Sequence, residues 1–261
     1  MKDKNKIDNM RNRLVKYALC CIALLAIGKT YAQNNPYVDD ELFHLGFFLG
    51  IDMLSYNIQE NDSITQANMP KFDGNVYHPR TMSVGPGVSV GFIADLRLTE
   101  HLNLRFTPSL SFGERSVTYK SYTVADSLVG HMNDGVRNKP SILTIPVSIP
   151  LYLKWSAERQ ANYRPYVVVG GGIQVECFRD KDKVILHKPF DAFVSAGFGC
   201  DFYFRWFKLS PEIKYQIGFL DAHTPTTAMD DAWQLDEHKY FYSDAIKKMT
   251  HQKLSIIFNF E

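Results

Sequence analysis

The stretch LNLRFTPSLSF, residues 102–112, alternates apolar and polar side chains without a break. The apolar side chains share one face and comprise Leu102, Leu104, Phe106, Pro108, Leu110 and Phe112. The polar side chains share the other face and comprise Asn103, Arg105, Thr107, Ser109 and Ser111. A period of two residues is the period of a β-strand, in which successive side chains point to opposite faces. The stretch therefore predicts a strand with one apolar and one polar face.

The same alternation returns along the rest of the chain. We predict eight strands, at about residues 43–53, 86–98, 102–112, 141–155, 164–178, 189–204, 207–219 and 254–261. Several of these strands reach 11–15 residues, whereas strands of soluble proteins average about five or six. Pro108 and Pro211 lack the N–H group that a strand ladder uses, so we expect bulges or strand ends there.

The connections between the predicted strands alternate strictly between long and short. Long polar loops cover residues 54–85, 114–140, 179–188 and 220–248, and the turns between them are short, as at 99–101. Outer-membrane barrels combine long extracellular loops with short periplasmic turns. We therefore predict an all-β fold, an eight-stranded antiparallel transmembrane β-barrel whose apolar face contacts outer-membrane lipid. An even number of strands places both termini on the periplasmic side.

A soluble β-sandwich or a lipocalin-type barrel is the alternative, because strands of those folds also alternate. In those folds the apolar face would point inward and the polar face would meet water. The strand lengths and the regular alternation of the connections favour the membrane barrel. The C-terminal pair Phe258 and Phe260 favours it too, because it resembles the signal that the outer-membrane insertion machinery recognises.

The N-terminal residues have the composition of a secretory signal peptide. Basic residues precede an apolar run from Tyr17 to Ile27, and Thr30-Tyr31-Ala32 follows with small residues where a signal peptidase needs them. A retained membrane anchor is the alternative, but a helical span needs about 20 apolar residues. We predict a cleaved signal peptide over residues 1–32, a periplasmic tail over 33–42 and the barrel over 43–261.

The charge of the mature chain argues against a nucleic-acid partner. Removal of residues 1–32 leaves 22 basic and 26 acidic side chains, a net charge of −4, whereas proteins that bind nucleic acids present basic surfaces. After the signal, no run of apolar residues is long enough for a transmembrane helix.

The polar face of the strands predicts ion pairs inside the barrel. An eight-stranded barrel holds side chains and little else, so inward charges must neutralise one another. The three-residue turn at 99–101 sets Asp95 directly opposite Arg105, and we expect an ion pair there. The next short hairpin sets Asp201 diagonal to Lys208, which we expect to form a second pair. A proton or ion path is the alternative role for these charges.

Patterns of catalytic or cofactor chemistry are not found in the sequence. Gly170-Gly171-Gly172 interrupts a strand and does not open a helix, so it is not a phosphate loop. The outward positions of the strands lack the His and Ser of lipid-modifying barrel enzymes. Cys177 and Cys200 should lie too far apart for a disulfide. We expect no catalytic residues, no metal and no cofactor.

Five stretches of the chain resemble PorT-family proteins, the outer-membrane barrels of the type IX secretion system in Bacteroidetes. They are FHLGFFLGID (43–52), PGVSVGFIADLRLTEHLNLRFTPSLSFGER (86–115), NYRPYVVVGGG (162–172), PFDAFVSAGFGCDFYFRWFKLSPEIKYQIG (189–218) and the terminal LSIIFNFE. The likeness covers about half of the mature chain, mainly strands and short turns. The long loops at 54–85, 114–140 and 220–248 do not take part in it.

The resemblance implies a non-enzymatic role in the export or maturation of cargo proteins that carry a C-terminal sorting domain. It implies other components of the secretion system as partners, with cargo proteins as candidates for direct contact. A general structural or adhesive surface barrel is the alternative, and a lipid-modifying barrel enzyme is a weaker one.

Overall fold

Strands make up all the regular structure that the computed structural model describes, which covers residues 41–61, 75–80, 84–123, 141–177, 188–224 and 246–261. The predicted signal peptide and most of the predicted tail lie outside these residues. The strands are β1 (Phe43–Glu60), β2 (Asn75–Arg80), β3 (Gly85–Arg97), β4 (Leu102–Phe106), β5 (Ser109–Ser116), β6 (Thr118–Thr123), β7 (Ser141–Thr144), β8 (Pro146–Ser156), β9 (Tyr163–Glu176), β10 (Phe190–Tyr203), β11 (Lys208–Gly218) and β12 (Ile246–Phe260). No helix that is long and apolar enough to cross a membrane occurs in this part of the chain.

Ten of the strands close into one antiparallel ring, because β1 pairs with β12 on one side and with β3 on the other. β4 and β5 are two parts of one wall strand that is interrupted at Thr107 and Pro108, and β7 and β8 are two parts of another, interrupted at Ile145. The ring therefore has 8 strand positions, which confirms the predicted eight-stranded barrel. The interruption at Pro108 confirms the strand end expected there, whereas Pro211 lies within β11, opposite Phe258.

The outward side chains of the wall are apolar and exposed. On β1, Phe47, Leu49 and Ile51 are 51%, 52% and 56% exposed, whereas the intervening Phe48 is 5% exposed. The same pattern continues around the ring, with Phe92 on β3, Leu151 on β8 and similar residues elsewhere. Such a surface would be unstable in water, and it matches the outward apolar band of a membrane barrel. The soluble-barrel alternative, in which the apolar face points inward, is therefore wrong.

Three predicted loops, at 54–85, 114–140 and 220–248, contain strand residues. Along β1 this follows a reversal in the polarity of the wall. Up to Met53 the outward side chains are apolar, but beyond it the outward Ser55 and Asn57 are polar and the inward Tyr56 is buried. β1 therefore continues to Glu60, and β12 begins at Ile246. The predicted loops at 54–85 and 114–140 also contain β2 and β6, which pair as a separate two-stranded sheet.

The two ends of the barrel differ in their connections. At the end that we call the turn end, short turns join β3 to β4, β8 to β9 and β10 to β11; the long connections lie at the loop end. Aromatic rings collect at the turn end, where Phe47 stacks on Phe260 at 5.1 Å and Phe204 stacks on Phe207 at 5.0 Å. Trp206 in the same turn is 84% exposed. Aromatic rings of this kind mark the boundary between the apolar band and water.

Replacement of Leu49 by Arg should destabilise the barrel in lipid by about 2–4 kcal/mol, because a charge would enter the middle of the apolar band. Urea unfolding in lipid vesicles, followed by tryptophan fluorescence, measures the change. Asn57→Arg is the matched control, since Asn57 lies on the same face of β1 beyond the band. Equal losses for the two variants would show that the band does not reach Leu49.

Candidate functional site

The interior of the barrel is the candidate site, because polar and charged side chains occupy the inward positions of its strands. At the turn end these side chains form a group that we call the lower network. Its basic members are Arg105, Lys154, Lys208 and Lys214, and its acidic members are Asp95, Asp201, Glu212 and Glu261. Equal numbers of opposite charges allow such a group to be buried without a net charge.

Arg105 occupies the centre of the lower network. Asp95 and Arg105 are directly paired residues of β3 and β4, and a guanidinium nitrogen of Arg105 lies 2.8 Å from a carboxylate oxygen of Asp95. The same guanidinium contacts Glu261 at 2.7 Å and lies 3.6 Å from Glu212. The structure thus places Asp95 beside Arg105, as the length of the turn at 99–101 predicts. Glu212 of β11 and Glu261, the residue after β12, are two further carboxylates around Arg105.

Asp201 and Lys208 do not form the ion pair with each other that we expected. Tyr203 lies opposite Lys208, so the register is the predicted one and Asp201 is diagonal to Lys208. The Lys208 ammonium instead lies 2.5 Å from Glu261, because backbone hydrogen bonds between Lys208 and Glu261 hold these residues side by side. Asp201 pairs with Lys154 of β8 at 2.7 Å, two strands around the ring. The register of a hairpin does not predict contacts between strands that are not neighbours.

Tyr166 links the ion pairs of the lower network. Its ring contacts two cations, with the Lys154 ammonium 4.1 Å from the ring centre and the Arg105 guanidinium 5.6 Å from it. The Tyr166 hydroxyl donates a hydrogen bond to Glu212 at 2.9 Å, and Glu212 also pairs with Lys214 at 2.7 Å. The aromatic ring therefore places its negative face toward the cations and its O–H toward a carboxylate.

A second polar group lies closer to the loop end, and the sequence analysis did not identify it. Arg115 donates a hydrogen bond to Thr144 at 3.1 Å and lies 3.5 Å from Glu176, which also accepts a hydrogen bond from the Thr144 hydroxyl. Nearby, His251 contacts Asp191 at 2.9 Å. Thr144 and Glu176 lie on wall strands that the short turn between β8 and β9 joins, whereas Arg115, Asp191 and His251 lie on strands that follow or precede long loops.

An apolar cluster closes the lumen at the loop end. It comprises Tyr56, Ile58, Val117, Ala222, Ile246 and Met249, all of them buried. Two hydrogen bonds join the segment after β11 to β12. Ala222 N–H donates to the Met249 carbonyl at 2.7 Å, and Met249 N–H donates to the Asp221 carboxylate at 3.0 Å. Leu220 N–H donates to Asp191 at 3.1 Å, which joins this segment to the second polar group.

The cavity between the two polar groups is small. A cavity of about 20 Å³ lies between the two polar groups, lined by Ser89, Ser148, Lys214 and Lys253 among others. This volume accommodates about one water molecule. Around this cavity, described side chains occupy the inward positions from the lower network to the apolar cluster.

A family comparison agrees with this architecture. Residues 31–224 match the model of the outer membrane protein beta-barrel domain family. The chain belongs to this family. It is accordingly an outer-membrane β-barrel protein.

Comparisons with individual proteins add little to the family assignment. The crystal structure of Neisserial surface protein A is similar at a TM-score of 0.36 and 12% identity, over 82% of this chain and 95% of that chain. None of the curated proteins has a significantly similar sequence.

The thiols of this outer-membrane barrel are free, as predicted. Cys177 at the loop end of β9 is exposed, and Cys200 in β10 is half-buried. Cys200 lies opposite Pro165, twelve residues from Cys177 along β9, so the two sulfurs are far apart. Within the described ranges, no group of three or more His, Cys, Asp or Glu side chains could hold a metal ion.

Replacement of Arg105 by Met should lower the free energy of unfolding by about 3–5 kcal/mol, because Asp95 would remain buried without its cation and Glu261 would keep only Lys208. Urea unfolding in lipid vesicles measures the loss. Asp95→Asn added to Arg105→Met should recover part of it, since one uncompensated charge disappears. Arg205→Met, at an exposed turn position, is the control and should cost less than about 1 kcal/mol. Equal costs for Arg105→Met and Arg205→Met would contradict a central role for Arg105.

The filled lumen should not conduct solutes. Vesicles that contain the purified barrel and a trapped small fluorescent dye should release dye no faster than protein-free vesicles, because the apolar cluster and the lower network block both ends. A porin in identical vesicles is the positive control. Dye release at a rate comparable to that of the porin would show that the apolar cluster does not seal the lumen.

Proposed function

We propose that this barrel is a non-enzymatic subunit or accessory factor of the type IX protein secretion system. In this role it would support the export or maturation of cargo that carries a C-terminal sorting domain. The observation that carries the proposal is the resemblance of residues 86–115 and 189–218 to PorT-family proteins. These two stretches correspond to the β3–β4–β5 hairpin and the β10–β11 hairpin of the wall.

The filled lumen is consistent with a role that uses surfaces. A cavity of about 20 Å³ cannot pass a polypeptide, so cargo would cross the membrane through another component. The barrel would then assist a larger translocon through its turns, its loops or its lipid-facing wall. In this proposal the turn end faces the periplasm, as expected for short turns, and other secretion components and cargo are the candidate partners.

A non-enzymatic role fits the way in which the interior charges are used. In the lower network, Arg105, Lys154, Lys208 and Lys214 each contact a carboxylate within the barrel. These groups therefore neutralise one another, as structural ion pairs inside a barrel do. Along β1 and β8, the outward positions within the membrane band carry apolar side chains, which suit contact with lipid.

Deletion of the gene in its native host tests the proposal. We expect cargo with a C-terminal sorting domain to accumulate in the periplasm and to disappear from the culture medium, and a plasmid copy of the gene should restore secretion. Immunoblots of periplasm and medium measure both effects, with a cargo-independent periplasmic protein as the fractionation control. Normal secretion in the deletion strain would contradict the proposal and favour a general structural or adhesive barrel. An altered lipid A mass in that strain would indicate a lipid-modifying enzyme.

A further inference from the structure

The small cavity between the two polar groups is lined by charges of one sign. Lys214 and Lys253 both line it, and none of the described residues that surround it is an Asp or a Glu. Five other lining residues carry a hydroxyl group that can donate a hydrogen bond, and these are Ser89, Thr107, Ser109, Ser148 and Ser255. Ammonium groups and hydroxyl donors around one cavity favour a negatively charged ligand.

Lys253 of β12 has no carboxylate within ion-pair distance among the described residues. Asp52 attracts Lys253 across a longer distance, but its carboxylate accepts a hydrogen bond from the Ser255 hydroxyl at 2.6 Å and does not line the cavity. The other lysine, Lys214, contacts Glu212 at 2.7 Å and has further N–H donors. An ammonium group inside a barrel is unfavourable without a partner in contact, and an anion in the cavity would be such a partner for Lys253.

The hydroxyl group of Ser148 provides an independent indication of a ligand. It is buried, and it has no hydrogen-bond partner among the described residues. Buried hydroxyl groups normally form hydrogen bonds. Ser148 lies on β8, four strand positions from β12 in the ring of eight, so Ser148 and Lys253 line the same cavity from opposite sides of the lumen. A ligand between them would accept hydrogen bonds from both.

We propose that the cavity binds one monatomic anion, of which chloride is the common example. Lys253 is its main ligand, and the Ser148 hydroxyl and the Lys214 ammonium are further donors. A volume of about 20 Å³ is enough for about one particle of the size of water, so it excludes phosphate, sulfate and carboxylates. The bound anion neutralises Lys253 and connects β12 to β8 across the lumen. The inference does not depend on the secretion role, since it follows from the lining of the cavity.

Bromide makes the anion visible, because its anomalous X-ray scattering distinguishes it from water. The full mature barrel is refolded in detergent with sodium bromide as the sole halide and is then crystallised, so that the ion is present while the enclosed site forms. We expect one anomalous peak in the cavity, in contact with the Lys253 ammonium and the Ser148 hydroxyl. Water alone in the cavity, or bromide at other positions only, would overturn the proposal.

Urea unfolding in lipid vesicles measures the effect of the anion on stability. Sodium chloride is compared at equal ionic strength with sodium gluconate, whose anion is too large for the cavity. Once chloride exceeds its dissociation constant, each tenfold increase in chloride should raise the ratio of folded to unfolded barrel about tenfold beyond the effect of gluconate.

Lys253→Met should remove this chloride dependence, because it removes the main ligand and retains a long side chain. Lys247→Met is the matched control and should retain the dependence, since Lys247 is exposed on the same strand. Ser148→Ala keeps every charge and should weaken the dependence, which provides the test if Lys253→Met does not fold. The same chloride dependence in Lys253→Met as in Lys247→Met, or an unchanged dependence in Ser148→Ala when Lys253→Met does not fold, would overturn the proposal.

Discussion

Backbone hydrogen bonding in a medium without water is the constraint on which this structure depends. Within a bilayer each N–H and C=O group of a strand needs a protein partner, and a sheet meets this condition only when its first and last strands pair. β1 achieves this by pairing with β3 and β12 at the same time. The long run of apolar side chains on the outer face is stable only because this ring is closed.

Closure of so few strands leaves a narrow interior, and the narrow interior determines its chemistry. Side chains must fill the lumen, and the charges of the lower network come from β3, β4, β8, β10, β11 and the residue after β12. Arg105 contacts carboxylates from β3, β11 and the residue after β12. The network therefore connects wall strands that are not neighbours. Its ion pairs cross the lumen and restrain the cross-section of the barrel, in addition to the backbone hydrogen bonds of the wall.

The sequence was sufficient for the features that depend on local geometry. Alternation predicted the wall strands, and the three-residue turn predicted that Asp95 and Arg105 would face each other. The pairing of Asp201 with Lys154 could not be predicted in this way, because it crosses an intervening strand. The continuation of β1 to Glu60 was missed for a different reason. Beyond Met53 the inward residues become apolar and the outward residues polar, which is the opposite of the pattern used to recognise a membrane strand.

This reversal of polarity along β1 also sets the hydrophobic thickness of the protein. The outward apolar row runs from Phe43 to Met53, which at about 3.3 Å per residue and a tilt of about 40° spans roughly 25 Å. A typical bilayer has a hydrocarbon core of about 30 Å, and the bacterial outer membrane is thinner than average. The barrel therefore matches a thin membrane without deforming it. In a thicker bilayer, the polar residues that follow Met53 would be the first to enter the hydrocarbon core.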